Sequence, residues 1–437
     1  MKKAALAAGF ALLMAGQLWA QKYDKFARDR AEEMLAQISA DVHKHYFDPK
    51  FHGLDWDAKT METKQRIEQS SSFGGAMSAI AALLDELNDS HTFFLPPEHD
   101  YWNDYGWHFE MVGEHCFVTR VRPKSDAEAK NLKPGDEVLS IGGFPPNRLD
   151  AWKIYYLIKV LRPQPVLRVQ LKDPAGMTRQ VDVAAKVKQK KHTIDLTGAN
   201  EASDVWQLIR EGEGDEHRNR ARSEELGDDL MILKFPVFDF SASEIGSMIG
   251  RAKKHKGLII DLRGNGGGAE ETMKLLVASM LDKEVKIADR VKRKDIKPLE
   301  TKAWHGPFTG KLVVLTDSES GSASELFARV MQLEKRGSVI GDVSSGSVME
   351  ARHYSEKSGA DTVVFYGASI TEADLIMTDG KSLEHSGVKP DELVLPTAED
   401  LAAGRDPVLA RAAQTLGVKI TAEDAGKLFP YEWAPDE

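Results

Sequence analysis

The chain of 437 residues contains one cysteine, Cys116, so no intramolecular disulfide is open to it. It has no internal repeat and no low-complexity tract of functional size. Past its first twenty residues no apolar run approaches the roughly 20 residues that a membrane-spanning helix needs. An excess of positive charge is also missing: 58 Lys and Arg stand against 68 Asp and Glu, for a net charge of −10, and the basic residues are dispersed. Neither nucleic acid nor an anionic lipid surface is therefore an expected partner.

The first twenty residues, MKKAALAAGFALLMAGQLWA, set two lysines before an apolar stretch and end on the small Ala20. This is the pattern of a secretory signal peptide, and it predicts an exported protein, periplasmic or secreted, cleaved near Ala20. The apolar part is short for a retained anchor and no stop-transfer sequence follows, so no stable membrane anchor is expected. With no cysteine near the junction, lipid attachment is not expected either.

Behind residues 1–20 the periodicity changes several times. Over 21–98 apolar residues recur every three or four positions, as in FARDRAEEMLAQISADVHKHYF and GGAMSAIAALLDELNDS, which predicts a helical subdomain closed by Pro96 and Pro97. Over 105–188 the pattern turns to short β-branched runs, HCFVTRV, DEVLSIGG, VLRVQLK and RQVDVAAKV, punctuated by Gly, Pro and Asp, a small β-rich domain. A polar stretch over 189–227 reads as a linker or exposed loop. From 228 to 398 apolar strands (LMILKFPVF, GLIIDLR, KLVVLT, SVIGDV) alternate with amphipathic helices, the mark of a layered α/β core. Residues 399–437 carry a last amphipathic helix, DPVLARAAQTL.

Three segments carry chemistry. In VLTDSESGSASELFARVMQ an apolar strand passes through a small-residue turn into a helix, with Ser322 at the turn. A helix N-terminus offers unpaired N–H groups and a positive dipole end to developing negative charge, which suits a nucleophilic hydroxyl there. Serine is also favoured at N-caps for local reasons, so Ser320, Ser322 and Ser324 can equally be turn residues. In GLIIDLRGNGGGAEETM a strand opens into a glycine loop, where backbone amides can approach a ligand closely. Neither GKS nor GKT closes this loop, and the dinucleotide spacing is absent, which sets a phosphate site aside. The third segment is Asp89-Ser90-His91-Thr92, where an imidazole beside a hydroxyl could serve as general base. Taken singly, a histidine among thirteen is more often an ordinary surface or core residue.

The order LNDSHTFFLPP, KNLKPGDEVLSIGG, GLIIDLRGNGGG, SGSASELFARVMQ, GKSLEHSGVKPD resembles the C-terminal-processing and tricorn-like serine peptidases over nearly the whole chain. The resemblance implies Ser322 as nucleophile, with an oxyanion hole formed by the N–H of Ala323 and an amide of Gly266-Gly267. In the tail-specific branch a lysine twenty-five residues after the nucleophile activates the serine. Here that place is taken by Ser347, in Gly341-Asp342-Val343-Ser344-Ser345-Gly346-Ser347. The tricorn-like branch uses a Ser-His pair and a later glutamate, matched by Ser90, His91 and Glu384. The roles implied are His91 as base and Glu384, through or beside Ser90, as its orienting acid. Glu384 can also be read as a surface acid in a turn, and His385 is a nearby rival base.

The resemblance further implies that 105–188 is a PDZ-like domain. Gly106, Trp107, His108 and Phe109 would form its carboxylate-binding loop, binding polypeptides through their C-termini by strand addition. The expected architecture is a multidomain α/β protein whose core holds a crossed β-spiral-like sheet of the crotonase/ClpP kind. The expected activity is peptide-bond hydrolysis through an acyl-enzyme, with no metal or cofactor. The main alternative is an inactive PDZ-containing peptide-binding scaffold, motivated by the missing lysine. A CoA-thioester enzyme is disfavoured, since CoA is scarce outside the cytoplasm and the PDZ-like segment would have no role.

Overall fold

A computed structural model describes residues 23–99, 101–189, 220–359 and 363–433. The signal-peptide reading and most of the polar 189–227 stretch lie outside the described residues. Three helices come first: α1 (Lys25–His45), α2 (Trp56–Gln69) and α3 (Phe73–Asp85). Each begins at a side-chain cap, Asp24, Asp55 or Ser72, which accepts a first-turn N–H. Leu35, Ile38 and Val42 of α1 and Ile80, Leu83 and Leu84 of α3 bury the apolar stripes. The chain then enters β1 (Phe93–Leu95), which pairs antiparallel with a strand far away in sequence, Phe93 opposite Ser369. Residues 89–92, just before this strand, are thereby fixed against the second half of the molecule.

The β-rich part begins with β2 (Tyr101–Asp104), which pairs with β8 (Lys186–Gln189). Between them lies a five-stranded antiparallel sheet of β3 (Trp107–Val112), β4 (His115–Val121), β5 (Glu137–Ile141), β6 (Val166–Lys172) and β7 (Thr178–Ala184), in that order, with β3 at an edge. A short helix, α4 (Ala151–Tyr156), precedes β6.

The second half is built on six strands: β9 (Arg222–Leu226), β10 (Leu230–Lys234), β11 (Gly257–Asp261), β14 (Lys311–Thr316), β15 (Ser338–Gly341) and β18 (Glu392–Leu393). Their order is β18-β15-β14-β11-β10-β9, parallel except for β9. Alternate residues face opposite cores. Met231, Leu233, Leu258, Ile260 and Val314 pack against α5 (Ala242–Ala252), α6 (Glu270–Ala278) and α7 (Ala323–Leu333), whereas Leu230, Ile232, Ile259, Val313 and Leu315 pack against α8 (Pro407–Thr415). Both faces are covered, which is why these strands read as unbroken apolar runs rather than alternating ones. A further sheet joins β1, β12 (Lys286–Lys292), β13 (Ile296–Glu300), β16 (Met349–Ser358) and β17 (Val364–Met377). The result is a mixed α/β molecule of several sheets, as the alternation of patterns predicts.

Candidate active site

The turn from β14 into α7 is held by Asp317. Its Oδ1 accepts from the N–H of Gly264 and of Glu319 and from the Ser320 hydroxyl, each at 3.0 Å. The Ser320 Oγ also lies 2.9 Å from the carbonyl of Leu262, which shares its hydrogen, and the side chain is fully buried, so the hydroxyl is committed to the turn. Ser324, equally buried, has a hydroxyl with no partner among the described residues. Ser322 lies between them, partly accessible, with φ 51° and ψ −119°. A positive φ is costly for a residue with a Cβ and persists only where surrounding contacts impose it. Those contacts are the Ser322 N–H, donated to the carbonyl of Ser347 at 2.8 Å and to Glu325 Oε2 at 3.0 Å.

The glycine loop after β11 meets this turn. Arg263 is clamped between Asp261 and Asp406 and fixes the start of the loop. Its charge, with that of Lys234, holds the buried Asp261 carboxyl well below the usual range despite burial. A Cβ on Gly267 (φ 115°) would fall 2.8 Å from the Ser322 Cβ and 3.2 Å from the Ala323 nitrogen, so only glycine allows the approach. The N–H of Gly267 donates to Asn265 Oδ1 at 2.9 Å, which leaves Gly266 as the glycine of the expected pair whose amide is not so engaged.

Ser90, His91 and Glu384 are brought together from positions almost 300 residues apart. The Ser90 hydroxyl donates to Glu384 Oε2 at 2.9 Å and lies 2.8 Å from His91 Nδ1, and the Ser90 N–H donates to Glu384 Oε1 at 2.7 Å. The carboxylate thus reaches the imidazole through the serine. Asp89 fixes the backbone beneath: its Oδ1 accepts from the N–H of His91 and of Thr92 and from the Thr371 hydroxyl. Burial raises the Glu384 carboxyl above its ordinary range, with His91 opposing that shift and Asp89 adding to it. His385 turns elsewhere, its Nε2 at 2.8 Å from the carbonyl of Asn88. A cavity of about 540 Å³ opens beside Glu384, lined also by Phe47, His52, Asp89, Met349 and His385.

Segment 344–348 links the two halves of the site. The carbonyl of Ser347 accepts from Ser322, and the next N–H, that of Val348, donates to Glu384 Oε2 at 2.8 Å. Ser347, at the position of the missing lysine, pairs its hydroxyl with that of Ser345 at 3.0 Å. Sequence reasoning passed over Glu325, which is fully buried and accepts from Ser344 Oγ (2.5 Å) and the N–H groups of Gly346 (2.8 Å) and Ser347 (2.9 Å) as well as from Ser322. An acid on the apolar side of an amphipathic helix was the signal available for it.

The residues expected to form a carboxylate-binding loop lie in and before β3. Gly106 precedes the strand, Trp107 and Phe109 are buried, and Phe109 stacks on Tyr155 of α4 with centroids 3.9 Å apart. The Tyr155 hydroxyl accepts from the Phe109 N–H (3.1 Å) and donates to its carbonyl (2.7 Å). His108 faces the Ser322 turn, Nε2 at 3.2 Å from Glu319 and Nδ1 at 3.0 Å from the Thr119 hydroxyl. With Glu110 it forms the group His108, Glu110 and Glu319, the one set of metal-capable side chains that converges among the described residues, ligand atoms within 4.8 Å of one another. Gly113 and Arg148 reach Asp342, and Ser318 donates to the carbonyl of Met111, so the β3–β4 hairpin rests on loops on both sides of Ser322.

Residues 229–394 match the model of peptidase family S41. Over 96% of its length the chain is 23% identical to a tricorn protease homolog of Streptomyces coelicolor, covering 34% of that protein. It is 24% identical to the tail-specific protease of Haemophilus influenzae over 75% of this chain and 49% of that one. The carboxy-terminal processing protease CtpA of Bacillus subtilis is 22% identical over 71% of this chain and 62% of its own. The chain thus spans about a third to three fifths of the length of these curated relatives. Among solved structures, mature CPAF complexed with lactacystin superposes with a TM-score of 0.63 at 13% identity, covering 86% of this chain and 96% of that one. The resemblance read from the five ordered motifs is borne out by these matches.

Proposed function

We propose that this chain, whose segment 229–394 is that of peptidase family S41, is a serine peptidase working through Ser322, His91, Ser90 and Glu384. The observation that carries the reading is the hydrogen-bonded path from the strained Ser322 through Ser347-Val348 to Glu384, Ser90 and His91. In this mechanism His91 takes the proton of Ser322 as the hydroxyl attacks the scissile carbonyl. The tetrahedral oxyanion is met by the N–H of Ala323 and of Gly266, and the proton passes to the leaving amine as the acyl-enzyme forms. Water then attacks the ester with the same base. Glu384 acts through the Ser90 hydroxyl, which fixes the Nδ1 side of the ring and leaves Nε2 for Ser322.

The remaining expectations take their place around this centre. The largely parallel sheet β18-β15-β14-β11-β10-β9, packed on both faces, supports the crossed β-spiral-like reading of the core. For 105–188, the antiparallel sheet with β3 at its edge supports a PDZ-like domain that takes polypeptide C-termini as an added strand. Tyr155 occupies the backbone groups of Phe109 that such a strand would use, so entry requires its hydroxyl to be displaced. Export rests on the pattern of residues 1–20, and no helix among the described residues is long and apolar enough to cross a membrane.

A fluorophosphonate probe with mass-spectrometric mapping tests the reading. Labelling is expected at Ser322, together with cleavage of unfolded casein. An adduct on Ser320 or Ser324 overturns the assignment of the nucleophile, and an unlabelled protein that leaves casein intact supports the peptide-binding scaffold instead.

A further inference from the structure

Glu325 receives four donors: Ser344 Oγ and the Gly346 N–H on Oε1, and the Ser322 and Ser347 N–H groups on Oε2. An ionised carboxylate accommodates all four. A protonated one keeps the Ser344 contact only by donating to its Oγ, which forces the Ser344 hydroxyl hydrogen off Oε1, or else displaces one of the N–H donors; either way the set of four donors is lost. We infer that Glu325 is a positioning residue whose ionised carboxylate holds the Ser322 turn and segment 344–348 together, so that the reactivity of Ser322 depends on a second proton besides that of its base. This rests on the reading of Ser322 as the nucleophile.

The consequence spreads to both ends of that segment. Ser347 receives the Ser322 N–H and Val348 holds Glu384, so loosening 344–348 disturbs the nucleophile and the Glu384-Ser90-His91 relay at once. Burial pushes the Glu325 carboxyl up to about 7 against the pull of its donors, and Glu384 adds in the same direction. Glu384 is the charged group facing it across the segment, with His91 and Asp89 acting on Glu384 from the far side. Release therefore falls in the neutral range as pH drops.

The test is the rate of fluorophosphonate acylation of Ser322 between pH 5 and 9 in the wild type, Glu325→Gln and Ser344→Ala. The amide stands for the protonated acid, so Glu325→Gln should acylate more slowly at pH 8, on the order of 10²-fold for a displaced nucleophile. Its acid limb should fall with one proton where the wild type falls with two. Ser344→Ala removes a donor that favours the charged form and should move the limb to higher pH, a readout available even where Glu325→Gln does not fold. A one-proton limb in the wild type, or a limb unmoved in Ser344→Ala, overturns the inference. Absence of labelling in the wild type at every pH instead overturns the nucleophile assignment beneath it.

Discussion

The tetrapeptide Ser-Ala-Ser-Glu occurs twice in this protein, at 241–244 and at 322–325, each time opening an amphipathic helix. At α5 it does what local chemistry asks. Ser241 is extended (φ −71°, ψ 162°), its Oγ accepts from the Glu244 N–H, and Glu244 Oε2 accepts from the Ser241 N–H and hydroxyl, all in the open. At α7 the same four residues are inverted in use. Ser322 sits at positive φ, and Glu325 keeps the Ser322 N–H but turns its remaining capacity inward to Ser344, Gly346 and Ser347. The difference is made by the neighbours: the glycine loop presses on Ser322 from one side and segment 344–348 from the other. A solvated cap and a strained, buried turn can share a sequence, because what separates them is supplied by chain far away.

The largest effect that would sharpen this contrast is on activity. Ser322→Ala should lower the turnover of casein by on the order of 10⁶-fold, the scale of nucleophile removal, while Ser241→Ala leaves turnover unchanged. Equal activity in the two variants would erase the distinction. His91→Ala should follow at roughly 10²–10⁴-fold in acylation rate, measured with the same probe.

Gly267→Ala places a methyl 2.8 Å from the Ser322 Cβ at a φ of 115° and should abolish labelling, read by intact mass. Gly250, inside α5 with nothing within 4 Å of an added Cβ, makes the counterpart. Gly250→Ala should stabilise by about 1 kcal/mol in urea melts with labelling intact.

The two glutamates should titrate with opposite signs. Glu325 has its carboxyl raised from 4.5 to about 7, chiefly by burial, so the folded protein binds this proton more tightly than the unfolded chain does, although the ionised form makes the contacts of the turn. That contribution is complete below 4.5 and lost as pH rises through 7, about 3 kcal/mol in all. Glu244 is lowered by its bonds to Ser241, so its contribution is present above the ordinary value and lost only as pH falls below it. Urea melts from pH 4 to 8 should show the wild type losing stability relative to Glu325→Gln as pH rises, with no such trend against Glu244→Gln. A flat difference for Glu325 would mean that its charge is not buried at a cost. Ser241→Ala, a lost cap, should cost about 1 kcal/mol in the same melts, as small an effect as that of Gly250→Ala and opposite in sign.

The helical, β-rich and α/β stretches were legible because each buries one face or two, and burial writes a period into the residues: Leu35, Ile38 and Val42 on α1, and the unbroken apolar runs of β10, β11 and β14. The motif order likewise pointed to Ser322, His91, Ser90 and Glu384. Three things were not legible. Tyr155 at the edge of β3 and the four donors on Glu325 join residues with no local periodicity between them, and the turn by which Asn265 engages the Gly267 amide, though local, leaves no apolar period to mark it. Sequence by itself determined which segments form helices and strands and which carry hydroxyl, imidazole and carboxyl groups, since those follow from near-neighbour spacing and residue chemistry. Only the tertiary structure decided that one Ser-Ala-Ser-Glu is a solvated cap and the other a buried turn under strain, because desolvation and backbone strain are imposed by groups that the chain brings from far along its length.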